Sequence, residues 1–294
     1  MIKKSLIAAL VLLLIYHFTQ PHLPRGYYWI AGQQRANYLR AQKYVHDTPA
    51  DANVIVGSSM ANELSNEILG SEYVKLTFPA GGSFTGLEMI QGTDKHPKVL
   101  WIETNTLMRD ADKAMLEDVL SPWRRTLRDT SSVFKEEGRP SNYQVGFLNV
   151  LVAKVCHGFT KITGGAKSTK EAEHPIDPSV FANIMKANRD HLDRVPSETN
   201  LTTRVNHLGE MVDKLTREGT KCILFEMPMD ASLENLAEPS GVRKAMVARF
   251  PADNYRWFQF TRDHDYQTSD GIHLVKSESE KVTEKMLRDT ARFN

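Results

Sequence analysis

The chain has 294 residues, of which 41% are hydrophobic and 25% are charged, and its formal net charge is +1. This is an ordinary globular composition, sufficient for one domain with a core or for a domain with an insertion. The near-neutral charge gives no support for a nucleic-acid partner. The two cysteines, Cys156 and Cys222, exclude a disulfide-rich scaffold and a four-thiolate zinc site. They either form one disulfide in an oxidising compartment or remain buried free thiols.

The chain begins with an apolar segment behind two lysines. Residues 5–18 (SLIAALVLLLIYHF) are almost wholly apolar, which predicts an export signal or a signal anchor, although a full span needs about 20 residues. No small-x-small cleavage pattern follows, and the aromatic residues at 27–29 suit a membrane interface. We therefore predict an uncleaved anchor over residues 1–24, single-pass in the cytoplasmic (inner) membrane, with the remaining chain on the periplasmic side. A cleaved signal peptide is the alternative.

Strand–turn–helix units recur along the chain after a predicted helical linker at residues 25–50. The remaining residues, 51–294, are predicted to form one domain. Predicted strands cover residues 52–56, 73–78, 98–102, 221–227 and 255–260, and predicted helices start near 60 and 84 and cover 202–218, 239–250 and 277–292. Polar or glycine-rich turns follow the first three strands, which is typical of a doubly wound parallel sheet. The predicted fold is α/β: a flavodoxin-like three-layer α/β/α sandwich with five parallel strands.

The regular pattern breaks over residues 107–200. This stretch is too long for a crossover loop, so it is predicted to be an insertion or cap. It contains helix-like segments at 111–120 and 145–157 and a Gly/Lys/Ser-rich piece at 163–170. The apolar residues of the second segment favour a cap helix that packs on the core, or a face for a partner.

Near its C-terminal end the chain reads Asp270-Gly271-Ile272-His273. A carboxylate three residues before a histidine is a compact way to build a base with its orienting partner, because the carboxylate fixes one ring nitrogen and leaves the other to take a proton. A serine hydroxyl needs such a base, since it is a poor nucleophile on its own. Ser59 follows the first predicted strand, where the strand turns into a helix. The sequence therefore predicts Ser59 as nucleophile, His273 as base and Asp270 as orienting residue.

An acyl-transfer site also needs fixed donors for the oxyanion that forms on the substrate carbonyl. The carboxyl ends of parallel strands meet at one edge of the sheet, where ligands bind. The backbone N–H groups of Ser59 and Gly81 and the side-chain amide of Asn105 fall at such strand ends. They are the predicted oxyanion hole, and Gly82 is the alternative to Gly81. Glycine suits this position because a close backbone approach tolerates no Cβ.

Each of these residues also has a purely structural interpretation. Ser58 or Ser59 can cap a helix, Asn105 can be a turn residue, and Asp270 can cap the helix after its loop. Glu103 lies beside the asparagine, either in a pocket or as an ion-pair partner. The joint occurrence of the set favours catalysis. No HExxH motif, P-loop or metal-ligand spacing appears, so no cofactor and no metal site are predicted.

Taken together, Gly57-Ser58-Ser59, Gly81, Asn105 and Asp270-x-x-His273 resemble the four blocks of the SGNH (GDSL-like) hydrolase superfamily. The resemblance spans residues 52–290 apart from the insertion. The serine and Asp-x-x-His blocks match most clearly. Two departures stand out: Glu103-Thr104-Asn105-Thr106 replaces the usual G-x-N-D pattern, and Ser58 stands where the simplest members have aspartate.

The resemblance implies acyl transfer through an acyl-enzyme on Ser59, either to water or to a sugar hydroxyl. With its anchor, the chain is similar to exported members that act on bacterial surface polysaccharides, such as the alginate and peptidoglycan O-acetylation proteins and the D-alanyl transfer protein of teichoic acids. We expect an O-acyltransferase or esterase that acts on the O-acyl groups of a surface polysaccharide. Acetyl is the expected acyl group. Its expected partners are an acyl donor, a glycan acceptor and an integral-membrane acyltransferase. The alternatives are a catalytically inactive assembly or glycan-binding subunit and a lipid-directed esterase.

Overall fold

A five-stranded, all-parallel sheet is the central feature of the computed structural model, which describes residues 2–22, 32–139, 177–260 and 265–290. The strands are β1 (Asn53–Gly57), β2 (Tyr73–Thr77), β3 (Val99–Glu103), β4 (Lys221–Phe225) and β5 (Arg256–Phe258). Their order across the sheet is β2-β1-β3-β4-β5, with every neighbouring pair parallel. The predicted α/β class with five parallel strands is confirmed, and each strand lies within two residues of its predicted bounds.

Apolar residues drive the formation of the sheet. All five residues of β3 are buried, as expected for a parallel strand covered on both faces. Trp101, at the centre of β3, is fully buried and makes edge-to-face contacts with Phe225 and Phe258 at ring-centroid distances of 5.9 and 5.4 Å. Through these ring contacts, Trp101 of β3 packs against both β4 and β5.

Helices lie before, between and after the strands. They are α1 (Ile2–Thr19), α2 (Gly32–Asp47), α3 (Ser59–Asn62), α4 (Asn66–Leu69), α5 (Ser83–Gln91), α6 (Lys113–Leu120), α7 (Pro122–Thr130), α8 (Pro178–Leu192), α9 (Glu198–Arg217), α10 (Ala237–Arg249) and α11 (Lys276–Thr290). The predicted helices at 202–218, 239–250 and 277–292 correspond to α9, α10 and α11. The predicted segments at 145–157 and 163–170 lie outside the described residues.

Where the sequence predicts one helix after Ser59, the structure has two one-turn helices, α3 and α4. Side chains from elsewhere take the backbone groups that a continuous helix would use. The ammonium group of Lys75 donates to the carbonyl oxygen of Asn62 at 2.8 Å, and the N–H group of Ser65 donates to the hydroxyl oxygen of Thr283 at 2.9 Å. The break therefore joins this segment to β2 and to α11, the helix that follows His273.

The chain divides into two compact units: Met1–His46 with Asp118–His174, and Asp47–Glu117 with Pro175–Asn294. Residues 107–117 and 177–200 of the predicted insertion belong to the unit that contains the sheet, and the insertion at 107–200 stays a prediction. Leu107, Met115 and Leu116 are buried, with exposures of 4%, 1% and 5%. The strands, Ser59, Asn105 and the Asp270–His273 loop all lie in this second unit.

In the first unit, α1 is the one helix of the described residues that is long and apolar enough to cross a membrane. It has 18 residues, a mean hydropathy of 1.6 and no buried residue. Its last turn is bonded to the unit: the Tyr16 hydroxyl donates to the carbonyl oxygen of Gly138 at 2.6 Å, and the His17 ring lies 2.7 Å from the Ser131 hydroxyl. The predicted anchor thus coincides with an exposed apolar helix, while the aromatic residues at 27–29 lie outside the described residues.

Candidate active site

The Asp270–His273 loop forms the pair that the sequence predicts. The Nδ1 atom of His273 lies 2.6 Å from Oδ2 of Asp270. The other carboxylate oxygen accepts from the backbone N–H groups of Ile272 and His273 at 2.9 and 2.8 Å. This closed loop holds the ring with Nδ1 toward the carboxylate, which leaves Nε2 for a substrate or nucleophile.

Surrounding elements keep the loop in this conformation. Asn188, on α8, donates its side-chain N–H to the carbonyl oxygen of Asp270 at 2.9 Å. Gly271 has φ +91°, a left-handed conformation that favours glycine. A Cβ at this position would also lie 2.2 Å from the Met185 sulfur atom. Helix α8, which the sequence places in the insertion, therefore supports the Asp–His pair directly.

Asp270 and His273 carry opposite charges when ionised, and their interaction shifts the pKa of both groups. The hydrogen bond from Asp270 raises the pKa of His273 above its ordinary value of 6.5, and this outweighs burial, which lowers it. Burial alone would raise the pKa of Asp270, but its hydrogen bonds from His273 and Ile272 outweigh burial and hold that pKa below its ordinary value. At neutral pH the carboxylate is therefore ionised and orients the imidazole.

These directions predict a pH profile. A general base must be unprotonated, so the rate constant kcat/KM for a neutral ester should rise with pH through a pKa above 6.5. Asp270→Asn removes the group that raises this pKa, so the rising limb should move to lower pH and the plateau should fall by about 10⁴-fold. Initial rates measured between about pH 5 and 9 test both effects. A rising limb at the same pH in both proteins would show that Asp270 does not control the base.

The two serines that follow β1 have different environments. Ser58 is fully buried, and its hydroxyl accepts from the N–H group of Met60 at 3.1 Å, which makes it the N-cap of α3. Ser59 is partly exposed. Its hydroxyl and its backbone N–H have no hydrogen-bond partner within the described part of the chain. Ser58 therefore has the structural role, and Ser59 retains the free hydroxyl that a nucleophile requires.

Glu103, at the end of β3, lies beneath this turn and is 1% exposed. Its Oε2 atom accepts from the N–H groups of Ser58 and Ala61 at 2.7 and 3.2 Å, and its Oε1 atom accepts from the Ser58 hydroxyl at 2.8 Å. Burial raises the pKa of this carboxyl group, against these hydrogen bonds. Glu103 is therefore neither a pocket residue nor an ion-pair partner at contact distance: it fixes the backbone on both sides of Ser59.

The position of Glu103 explains why residue 57 is a glycine. A Cβ at residue 57 would lie 2.5 Å from Oε2 of Glu103 and 2.6 Å from the Cβ of Ala61. No real side chain fits at those distances. Glycine therefore allows the carboxylate to approach the turn. The Gly-Ser-Ser motif and Glu103 together fix the backbone of the turn. Sequence reasoning missed this role; the available signal was a carboxylate at the end of an otherwise apolar strand.

The glycine block forms a tight turn after β2. The N–H group of Gly81 donates to the carbonyl oxygen of Phe78 at 2.8 Å, so the predicted oxyanion donor is already engaged. The N–H group of Gly82, the alternative, has no such partner among the residues described. Ala80 has φ +60°, a conformation that costs a residue with a Cβ about 1 kcal/mol. This turn is therefore strained, and its geometry favours Gly82 over Gly81 as the donor.

Asn105 joins the ends of two neighbouring strands. Its Nδ2 atom donates to the carbonyl oxygen of Met227 at 2.9 Å, and its Oδ1 atom accepts from the N–H group of the same residue at 2.7 Å. A side-chain amide has two N–H donors, so one remains for an oxyanion. The structure therefore gives Asn105 a positioning role and keeps one donor available.

Two charged side chains link these blocks. Arg109 donates to the carbonyl oxygen of Gly81 at 3.2 Å, and its charge reaches both Glu103 and His273. Glu63, which follows α3, is also close enough for its charge to reach His273. The serine turn, the glycine block and the Asp–His loop are thus neighbours. Within the described ranges, Ser59 and His273 make no direct hydrogen bond.

A cavity of about 170 Å³ adjoins these residues. Met60, which follows Ser59, and Ile272, which precedes His273, both line it, as does Asn105. It lies at the carboxyl ends of β3 and β4, where α/β sheets bind ligands. The cavity is therefore in position to receive part of a substrate.

In the part of the chain that the structure describes, no group of three or more His, Cys, Asp or Glu residues is arranged to hold a metal ion. Cys222 is a free thiol in β4, and burial raises its pKa to about 11. Such a thiol is a poor nucleophile at neutral pH.

Comparison with known proteins gives no relative: no family model, no curated protein and no solved structure matches this chain.

Proposed function

We propose that this chain is an exported SGNH-type serine acyltransferase or esterase that acts on O-acyl groups of a surface polysaccharide. The flavodoxin-like three-layer arrangement of the sheet and its helices is part of this proposal. One observation carries it: a histidine oriented by a carboxylate at 2.6 Å lies near a turn that presents a serine with a free hydroxyl. Nucleophile, base and orienting group together are what acyl transfer through an acyl-enzyme requires.

The reaction has two balanced steps. In the first, Nε2 of His273 takes the hydroxyl proton of Ser59 while the serine oxygen attacks the ester carbonyl. The N–H groups of Ser59 and Gly82 and the free N–H of Asn105 stabilise the oxyanion. The bond to the leaving alcohol breaks and that alcohol receives the proton from His273. In the second step, water or a sugar hydroxyl attacks the acyl-enzyme, His273 takes its proton, and Ser59 leaves and is reprotonated.

The location follows from α1. We infer that α1 anchors the protein in the cytoplasmic membrane as a single span, with its two lysines on the inner side and the rest of the chain on the periplasmic side. The exposed apolar helix supports the presence of a membrane anchor. A protein held there meets surface glycans, and an integral-membrane acyltransferase that delivers acyl groups across the membrane is the proposed partner.

The test uses the full-length chain in detergent micelles with 4-nitrophenyl acetate, with and without an added oligosaccharide. Turnover that depends on Ser59 and shifts to acylated sugar is expected for a transferase, whereas release of acetate alone would assign an esterase. Turnover that persists in both Ser59→Ala and His273→Ala would contradict the proposal. A folded protein without any turnover and without reactivity toward a fluorophosphonate would instead support the inactive assembly subunit.

A further inference from the structure

The cavity beside Ser59 has the size of a single sugar ring. Its volume of about 170 Å³ is close to the roughly 150 Å³ of a cavity that holds one benzene ring. It lies between the serine turn, the ends of β3 and β4, and the helices α8 and α10. A group bound here would therefore lie next to the serine turn, at the carboxyl ends of the strands.

One wall of the cavity carries a carboxylate without a partner. Glu238, in the first turn of α10, is half-buried and lines the cavity. In the described part of the chain it makes no hydrogen bond and no ion pair at contact distance. Burial raises its pKa, while the charges of His191, Arg109 and Arg194 oppose that rise. Its oxygens therefore carry no hydrogen bond from the described residues and are available to a ligand.

Two other charged side chains of the wall form an ion pair. Glu226 is paired with Arg243 through two contacts, at 2.5 and 2.9 Å. Arg109 donates to the carbonyl oxygen of Gly81. A neutral carbonyl does not compensate the charge of Arg109, so this charge and that of Glu238 offset each other across the cavity. This arrangement favours a neutral ligand with hydroxyl donors.

The opposite character of the remaining wall fits the same ligand. Apolar side chains that include Met60, Met229, Val242 and Ile272 form most of it, and Asn105 and His191 are among its polar members. A pyranose ring presents a C–H face to such a surface and hydroxyl groups at its edge. An alkyl chain would cover the apolar wall equally well, but it would desolvate the Glu238 carboxylate without supplying a donor.

We propose that this cavity binds one neutral monosaccharide unit of the acceptor glycan, with Glu238 accepting hydrogen bonds from its hydroxyl groups. This rests on the proposed function, because the bound unit supplies the hydroxyl that attacks the acyl-enzyme. His273 takes the proton of that hydroxyl, the new ester bond forms to the sugar oxygen, and the bond to Ser59 breaks. The cavity thereby decides between transfer and hydrolysis, because a seated sugar displaces water from the acyl-enzyme.

The experiment measures the ratio of acyl transfer to hydrolysis in the full-length protein in micelles. The donor is 4-nitrophenyl acetate, and the acceptors are cellotetraose, tetra-N-acetylchitotetraose and mannotetraose. Glu238→Gln keeps the shape and removes the charge-assisted acceptor, so this ratio should fall about tenfold or more. Glu284→Gln makes the same chemical change on the exposed face of α11 and should leave the ratio unchanged.

A second pair of variants tests the cavity by volume. Val242→Phe fills it one helical turn after Glu238 and should also lower the ratio. Val247→Phe, on the same helix at a position that is 59% exposed, should not. Because the ratio compares two products of one acyl-enzyme, a partial loss of folded protein does not change it.

The outcomes separate this proposal from the function on which it rests. Ester turnover that does not depend on Ser59 would overturn the proposed function itself. Ser59-dependent turnover with an unchanged ratio in Glu238→Gln, or with no transfer to any of the three neutral acceptors, would overturn only the sugar subsite. A tetrauronate that accepts acyl groups better than all three would contradict a neutral ligand. A selective loss of activity toward hexanoyl relative to acetyl esters in Val242→Phe would instead assign the cavity to the acyl chain.

Discussion

Replacement of Ser59 by alanine is expected to lower ester turnover by about 10⁴- to 10⁶-fold, as the loss of a nucleophile does in other serine enzymes. Stability should be unchanged, because the Ser59 hydroxyl is partly exposed and bonded to no other described residue. Initial rates with 4-nitrophenyl acetate give the first quantity, and the thermal unfolding midpoint Tm gives the second. A variant that is stable and inactive would identify Ser59 as a chemical rather than a structural residue.

The neighbouring serine provides the matched control. Ser58→Ala removes the N-cap of α3 and a donor to buried Glu103, so the free energy of unfolding should fall by about 1–3 kcal/mol. The nucleophile remains, so the folded fraction should retain Ser59-dependent turnover. The reverse pattern, with Ser58 essential for turnover and Ser59 dispensable, would place the nucleophile one residue earlier.

Glu103→Ala is expected to have the largest effect on stability. It leaves the buried N–H groups of Ser58 and Ala61 without an acceptor and opens a cavity under the serine turn. Each unsatisfied buried group costs about 1–3 kcal/mol, so the free energy of unfolding should fall by about 3–5 kcal/mol. Turnover per folded molecule should fall as well, because the backbone that positions Ser59 is no longer held. Chemical denaturation and titration of active sites measure the two effects.

Glu103→Gln separates the hydrogen bonds from the charge. Its carbonyl oxygen can replace Oε2 and accept from both N–H groups, while its NH₂ group faces the Ser58 hydroxyl. We therefore expect a loss of only about 1 kcal/mol, the net value of one hydrogen bond. A loss in Glu103→Gln as large as that in Glu103→Ala would show that the ionised carboxylate, rather than its acceptor geometry, holds the turn.

The sheet could be predicted because its information is local. Buried parallel strands such as β1 and β3 appear as short apolar runs bounded by polar turns, and their predicted positions agree with the structure. The Asp270–His273 pair is also local, since its two side chains are three residues apart. A short spacing of this kind restricts the geometry so strongly that the hydrogen bond between the two could be inferred before the fold was known.

The rest depends on contacts between distant residues. Glu103 lies 45 residues from Ser58 in the chain, so its role beneath the serine turn is set by the register of β1 against β3 rather than by a motif. The engagement of the Gly81 N–H depends on a turn whose φ values the sequence does not determine. Glu238 belongs to a helix far from the serine in sequence. Only the packing of α10 against the ends of the strands makes it part of the cavity.

Covalent labelling with a fluorophosphonate, mapped by mass spectrometry, tests the central claim most directly. The full-length protein should be modified at a single serine, Ser59. Labelling should disappear in Ser59→Ala, slow strongly in His273→Ala and persist in Ser58→Ala, because only the base activates the hydroxyl. A folded protein that is not labelled, or that is labelled equally fast with and without His273, would contradict the assignment of Ser59 and His273 as an activated nucleophile and its base.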